Sequence, residues 1–163
     1  MNMKKYNNYI IEIYKTSQIN EIYNILDKYR DIKKLIELDE SLIYIELDGD
    51  QNIFFILTAL TEIKNIELLF EYDLDINLVD DAGYTPIILA AANFAGYHDD
   101  YYFELIDIYS KHDANWNIKN DDGLSMLDYL VGSKSNLYNR IIEKYPEKFE
   151  SWKKWKKSQK FNL

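Results

Sequence analysis

The chain has 163 residues, 47% of them hydrophobic, which is enough for one domain with a sizeable core. Its 19 Lys and Arg stand against 28 Asp and Glu, and the resulting net charge of −9 disfavours non-specific binding to nucleic acid or to an anionic membrane surface. The absence of cysteine excludes disulfides, thiolate metal ligands and a cysteine nucleophile.

In chain order, the chain opens with Lys4 and Lys5 and then an interrupted apolar segment, too broken for a signal-peptide core. No run approaches the ~20 apolar residues of a membrane span, so a cytoplasmic protein is expected. Tyr6, Tyr9, Ile10 and Ile13 recur at helical spacing, as do Ile19, Ile22, Leu26 and Tyr29 after the capping candidates Thr16 and Ser17. Two antiparallel helices are expected there. Ile43 to Leu47 alternates, which alone suggests a strand, and is read as an extended hairpin arm. Asp48-Gly49-Asp50 supplies a turn, and Ile53 to Ile63 predicts an apolar helix.

Ile66 to Ala92 carries the clearest local pattern. An amphipathic stretch leads to Asp75-Ile76-Asn77, then to Asp80-Asp81-Ala82-Gly83-Tyr84-Thr85-Pro86, then to a small apolar run. Gly83 gives the freedom a tight turn needs, Thr85 can cap a helix, and Pro86 suits its first turn. Ala90, Ala91 and Ala92 let that helix lie close to a neighbour. A second copy follows, with Asn115-Trp116-Asn117, Asn120-Asp121-Asp122-Gly123 and Ser125 at the same spacing, 40 residues on from glycine to glycine.

Both copies resemble the ankyrin repeat, whose period is about 33 residues and whose signature runs Gly-x-Thr-Pro-Leu into a helix. The first matches through Leu68-Leu69, Asp75 to Asn77, Asp80, Gly83, Thr85-Pro86 and Ala90-Ala91. The second has Ser125-Met126 for Thr-Pro, Leu130-Val131 for the alanine pair, and before it Asp113 where the family usually has glycine. A degenerate copy is expected about 34 residues ahead of the first. The resemblance implies an all-α, ankyrin-like repeat solenoid of paired antiparallel helices with hairpin loops and terminal capping helices. Residues 1–163 then form a single domain, with N-terminal caps over 1–40, a degenerate repeat over 41–75, the best-matching repeat over 76–114 and a further repeat over 115–145. The last repeat ends in a helix over Ser135 to Tyr145, and residues 146–163 form a basic amphipathic cap. The extra length of the 40-residue period is assigned to a loop over Asn93 to Tyr102.

Several constellations admit two readings. His98-Asp99-Asp100 has metal-ligand chemistry but no third ligand at a defined spacing, and reads as an exposed polar loop. Asp80-Asp81 and Asp121-Asp122 could pass for catalytic pairs, but short polar side chains at such turns bond their own backbone. Trp152-Lys153-Lys154-Trp155-Lys156-Lys157 mixes basic and aromatic residues as RNA- and membrane-binding segments do; a capping helix burying its tryptophans is preferred. No phosphate loop, nucleophile elbow or zinc spacing is present. Residues 144–163 carry +5, so residues 1–143 carry −14 of the −9 total.

These readings predict a non-enzymatic module without catalytic, cofactor or metal sites, monomeric when free, that binds another protein and neither nucleic acid nor membrane. The resemblance implies partner contacts at Asp81, Ala82, Tyr84, Asp122 and Leu124. Asn93 and Tyr97, Asp99, Asp100, Tyr101 and Tyr102 of the lengthened loop are added. The acidic body suits a basic partner, and the expected role is an inhibitor similar to ankyrin-type immunity proteins, capturing a basic toxin on an acidic concave face. The alternative is an intracellular scaffold or effector bridging cellular proteins.

Overall fold

The computed structural model describes residues 18–26, 31–60, 62–93, 99–131 and 136–159, and every regular element among them is helical. Helix α1 covers residues 18–26. It is followed by α2 (Ile32–Leu38), α3 (Ile53–Leu60), α4 (Ile63–Leu69), α5 (Pro86–Ala92), α6 (Asp99–Lys111), α7 (Met126–Val131), α8 (Leu137–Lys144) and α9 (Pro146–Gln159). The expected helix over Tyr6 to Ile13 lies outside the described residues, as do Gly132 and Ser133.

The helices from α3 to α8 form two rows. Helices α3, α5 and α7 pack on one another in order, as do α4, α6 and α8, and each inner helix also packs on the outer helix that follows it. Small side chains permit the inner row: Ala90 and Ala91 on α5 are buried between α3 and α7. The core runs through both rows, with Phe54, Leu57, Ile66, Leu69, Ile87, Ile106, Tyr109, Leu127 and Ile141 all within it. Tyr109 adds a buried polar link, its hydroxyl 2.5 Å from Thr58 Oγ1. This is an ankyrin-like helical repeat fold.

Backbone bonds fix the repeat register. The Leu47, Asp80 and Asn120 amides donate to the carbonyls of Gln51, Tyr84 and Leu124 at 2.7, 2.9 and 3.0 Å, closing three equivalent hairpins. Between hairpins, Asp81 N–H donates to the Gly49 carbonyl and Asp121 N–H to that of Ala82, at 3.0 and 3.1 Å. The equivalences 47, 80 and 120 give offsets of 33 and 40, so the degenerate copy lies 33 residues ahead. Its missing Thr-Pro is replaced by Asn52-Ile53, and Asn52 Oδ1 accepts the Phe54 amide at 3.1 Å as a helix cap. Thr85 Oγ1 caps α5 in the same way through the Ile88 amide, with Pro86 in the first turn.

Three expectations are corrected. Glu40–Tyr44 is a 3₁₀ turn, so only Ile45 onward is extended; Leu42 and Ile43 are both buried, which a turn achieves and an alternating arm does not. The apolar run from Ile53 to Ile63 is two helices, because α3 ends at Leu60 and α4 begins at Ile63. The stretch Asn93 to Tyr102 is not one loop: α6 begins at Asp99 and reaches 13 residues, against 7 in α4 and 8 in α8. Part of the longer period therefore lengthens the outer helix, where Tyr101, Tyr102 and Phe103 pack against the core.

At the N-terminal end, Ile22 and Leu26 bury α1 in the core. Helix α2, which no pattern in the sequence singled out, is capped by Asp31 and tied to α4 by its Ile32 amide, 3.2 Å from Asn65 Oδ1. At the other end α9 turns its aromatic residues inward. Trp152 is buried, Phe149 and Trp155 half-buried, and Lys154 and Lys157 exposed.

Candidate functional site

The hairpin tips and the open side of the inner row form one continuous face. Asp80 shapes its turn: Oδ1 accepts the Ala82 and Tyr84 amides at 3.1 and 2.8 Å, and Oδ2 accepts Gln51 Nε2 at 3.2 Å. Asn120 repeats this with the Leu124 amide at 2.9 Å. With these two residues occupied in the turns, Asp50, Asp81, Ala82, Asp121, Asp122 and Leu124 are left exposed along the tips. Asp81 and Asp121 are equivalent by the 40-residue offset, and each carboxylate leans on the glycine of an earlier hairpin, Gly49 or Gly83.

Behind the tips, Tyr84 and Tyr129 meet hydroxyl to hydroxyl at 2.7 Å, joining consecutive repeats. Asn120 Nδ2 donates to the Tyr129 hydroxyl at 2.8 Å. Burial and the neighbouring Tyr84 hydroxyl push the Tyr129 phenol up to about 12, so it is neutral at physiological pH. Further along the inner row, Ala59 and Val131 are exposed and Leu60, Leu89 and Ala92 half-buried. The face thus has an acidic edge and an uncharged, largely apolar floor.

Of the residues expected to contact a partner, Asp81, Ala82, Tyr84, Asp122 and Leu124 come together on this edge. Asn93 is exposed at the far end of α5, about 10 Å away given 1.5 Å per residue over seven residues. Asp100 lies on α6, where it pairs with Arg140 of α8 at 2.8 Å. Tyr101 and Tyr102 are half-buried on the same helix, rings edge to face at 5.7 Å. Asp99 opens α6, and Tyr97 and His98 lie outside the described residues. The structure therefore sets Asp100, Tyr101 and Tyr102 in the outer row, apart from the hairpin edge. Asp121, Gln51, Leu89 and Tyr129 were not anticipated on the face. Adding 40 to Asp81 and Leu89 finds Asp121 and Tyr129.

Two further acidic residues serve the scaffold. Asp107 has a side chain only 8% exposed and binds Lys111 at 2.7 Å, Lys144 at 2.5 Å and the Tyr145 hydroxyl at 2.6 Å. Burial works to raise its carboxyl, but these hydrogen bonds outweigh it and hold the pKa below the ordinary value. Asp128 accepts the Ser125 amide and hydroxyl at 3.1 and 2.7 Å and pairs with Lys156, with the same net lowering against burial. Among the described residues, no group of three or more His, Asp or Glu is placed to hold a metal ion. No described helix is long and apolar enough to cross a membrane.

No family model matches the chain. Over 81 residues, half of its length, it is 28% identical to an ankyrin repeat protein of Acanthamoeba polyphaga mimivirus, and the match spans 13% of that protein. The chain is thus similar, over half its length, to an ankyrin repeat protein, and its helices stack as ankyrin-like repeats.

Proposed function

We propose that this chain is a non-catalytic protein-binding module whose hairpin edge and inner row receive a basic protein. The observation that carries this reading is the row of exposed carboxylates at Asp50, Asp81, Asp121 and Asp122 beside the uncharged floor of Leu89, Ala92 and Tyr129. Such a row steers and orients a cationic partner, while the apolar floor supplies buried area once it docks. The similarity to an ankyrin repeat protein supports binding rather than catalysis. In its narrower form the proposal is an inhibitor, of the immunity type, that covers the working surface of a basic toxin.

The test is affinity purification with the full chain, identification of retained proteins by mass spectrometry, and kinetics with the purified partner. A basic partner whose association slows at least tenfold for Asp81→Lys/Asp121→Lys, and slows with added salt, is the expected result. Unchanged kinetics in the reversed variant, or a partner that is itself acidic, overturns the assigned face. Inhibition of that partner's own activity on complex formation separates the inhibitor from a scaffold.

A further inference from the structure

We infer that the cleft between α1 and the first two inner helices is an anchor pocket for an apolar side chain of a basic polypeptide. It rests on the protein-binding reading above and names where that partner inserts. The cleft encloses about 510 Å³ and is lined chiefly by Tyr23, Asn24, Phe55, Ala59, Leu60 and Leu89. That volume lies in the range of pockets that bury a compact ligand. None of its described lining residues carries a charge, so water inside has few partners and is readily displaced.

The wall supplied by α1 lies ahead of the first hairpin. A shift of 33 carries residues 18–26 onto 51–59, where α3 lies, so α1 stands where the inner helix of an earlier unit would, with Ile22 and Leu26 buried against the core. The cleft is accordingly held open by packed elements rather than by a loop, and a ligand need not order it on entry. Ala59 leaves room on the floor: it is exposed, with no side chain beyond Cβ to fill the space.

The rim identifies the occupant. Gln51 lines the hairpin side of the cleft, and its Nε2 is held by Asp80 Oδ2 at 3.2 Å. Asp50 is its chain neighbour and exposed, and Asp81 bonds the Gly49 carbonyl through its amide. Carboxylates from two successive hairpins thus border one side of an uncharged cavity, and the acidic row continues to Asp121 and Asp122, beyond the reach of a small molecule. An aliphatic or aromatic side chain flanked by Lys or Arg satisfies both parts at once.

The test uses fluorescent dodecapeptides of Lys, Arg and Ser with a central Leu-Phe pair. Controls carry Gly-Ser in place of Leu-Phe, or Glu in place of Lys and Arg, and anisotropy reports binding to the full chain. The basic Leu-Phe peptide should bind at least tenfold more tightly than either control, and Ala59→Trp, which fills the cleft, should remove that advantage. Asn24→Trp, on the exposed side of α1, narrows the cleft from the opposite wall and serves if Ala59→Trp lowers the melting temperature. If both basic peptides bind equally and neither variant matters, while Asp81→Lys/Asp121→Lys abolishes binding, the acidic edge stands and the pocket is overturned. If no basic peptide binds, both readings fall. Uptake of the apolar dye anilinonaphthalene sulfonate, blocked by Ala59→Trp without any peptide binding, assigns the cleft to a small molecule and overturns the proposal.

Discussion

Gly83 stands so close to Asn120 that a Cβ on it would lie 2.9 Å from the Asn120 Cα and equally near the Asp121 nitrogen. Gly123 has the same φ of 76°, but nothing lies within 4 Å of its Cβ position. Alanine at either site adopts a left-handed backbone at a cost of about 1–2 kcal/mol. At Gly83 it must also push the next hairpin away, adding about 1–3 kcal/mol as overpacking does. Urea unfolding should show Gly83→Ala as the more destabilised variant by at least about 1 kcal/mol. Equal losses would contradict the hairpin stacking.

The converse change is expected to stabilise. Asp50, at φ 59°, occupies the turn position that Gly83 and Gly123 fill in the later repeats, and Asp113, at φ 61°, follows α6. Asp113 also has an exposed contact of 3.5 Å with Lys148, a geometry worth little in water. Asp50→Gly and Asp113→Gly relieve left-handed strain and should each raise unfolding free energy by up to about 1 kcal/mol. A fall in stability for both would remove strain as the explanation.

Much of the fold was legible because it is written in turn chemistry that repeats. Gly83 and Gly123 mark two hairpins, Thr85-Pro86 the start of a helix, and Asp75 to Asn77 recurs as Asn115 to Asn117. The structure joins these last two motifs, with the Asn115 amide on Asn77 Oδ1 at 2.8 Å. The first hairpin was harder to place because Asp50 and Asn52 perform the same tasks with different residue types. Helix α2 escaped notice because its stability comes from afar: Asn65, 33 residues on, receives its first amide. The candidate site was legible only in part, since Tyr84 and Leu124 follow from the family pattern but the pairing of Tyr84 with Tyr129 and the α1 cleft arise from packing. Asp100 to Tyr102 read as loop because their aromatic and acidic residues suit a surface; the spacing to Leu105, Ile106 and Tyr109 continues a helix instead.

Acid should weaken the fold through two named carboxylates. Asp107 and Asp128 both titrate below the ~3.9 of an unfolded aspartate. The unfolded chain therefore takes up protons first as pH falls. The stabilisation is complete above about pH 5 and is lost as pH drops from about 4 through the folded values. Asp107→Asn, which removes the charge shared by Lys111, Lys144 and Tyr145, should cost about 1–3 kcal/mol at pH 7. Its stability should also fall less steeply between pH 5 and 3. An unchanged slope in both Asp107→Asn and Asp128→Asn would assign acid sensitivity elsewhere.

Alkali acts through buried phenols. Burial raises Tyr109 and Tyr145 above the ordinary tyrosine value, Tyr145 also by its bond to the Asp107 carboxylate, and Tyr129 reaches about 12. A folded pKa above the unfolded one means that stability is full below about pH 10 and declines as pH rises toward and past 12. The variant Tyr129→Phe isolates one phenol. Its stability should decline less steeply between pH 10 and 12, measured by chemical denaturation; a parallel decline would deny that Tyr129 titrates late.

Trp152 fastens α9 to the last inner helix through a chain of bonds. Its Nε1 donates to Ser125 Oγ at 3.0 Å, Ser125 donates on to Asp128 at 2.7 Å, and Lys156 closes the circuit on the same carboxylate. The indole is 6% exposed and stacks on Phe149 with centroids 6.0 Å apart. Trp152→Phe keeps most of the packing and loses the N–H, so about 0.5–1.5 kcal/mol is expected. Trp152→Ala also opens a cavity and should cost about 3–5 kcal/mol. Because Ser125 and Asp128 also form the start of α7, the loss should appear as one cooperative transition. A separate early transition, with the main one unmoved, would show that α9 folds onto the repeats without supporting them.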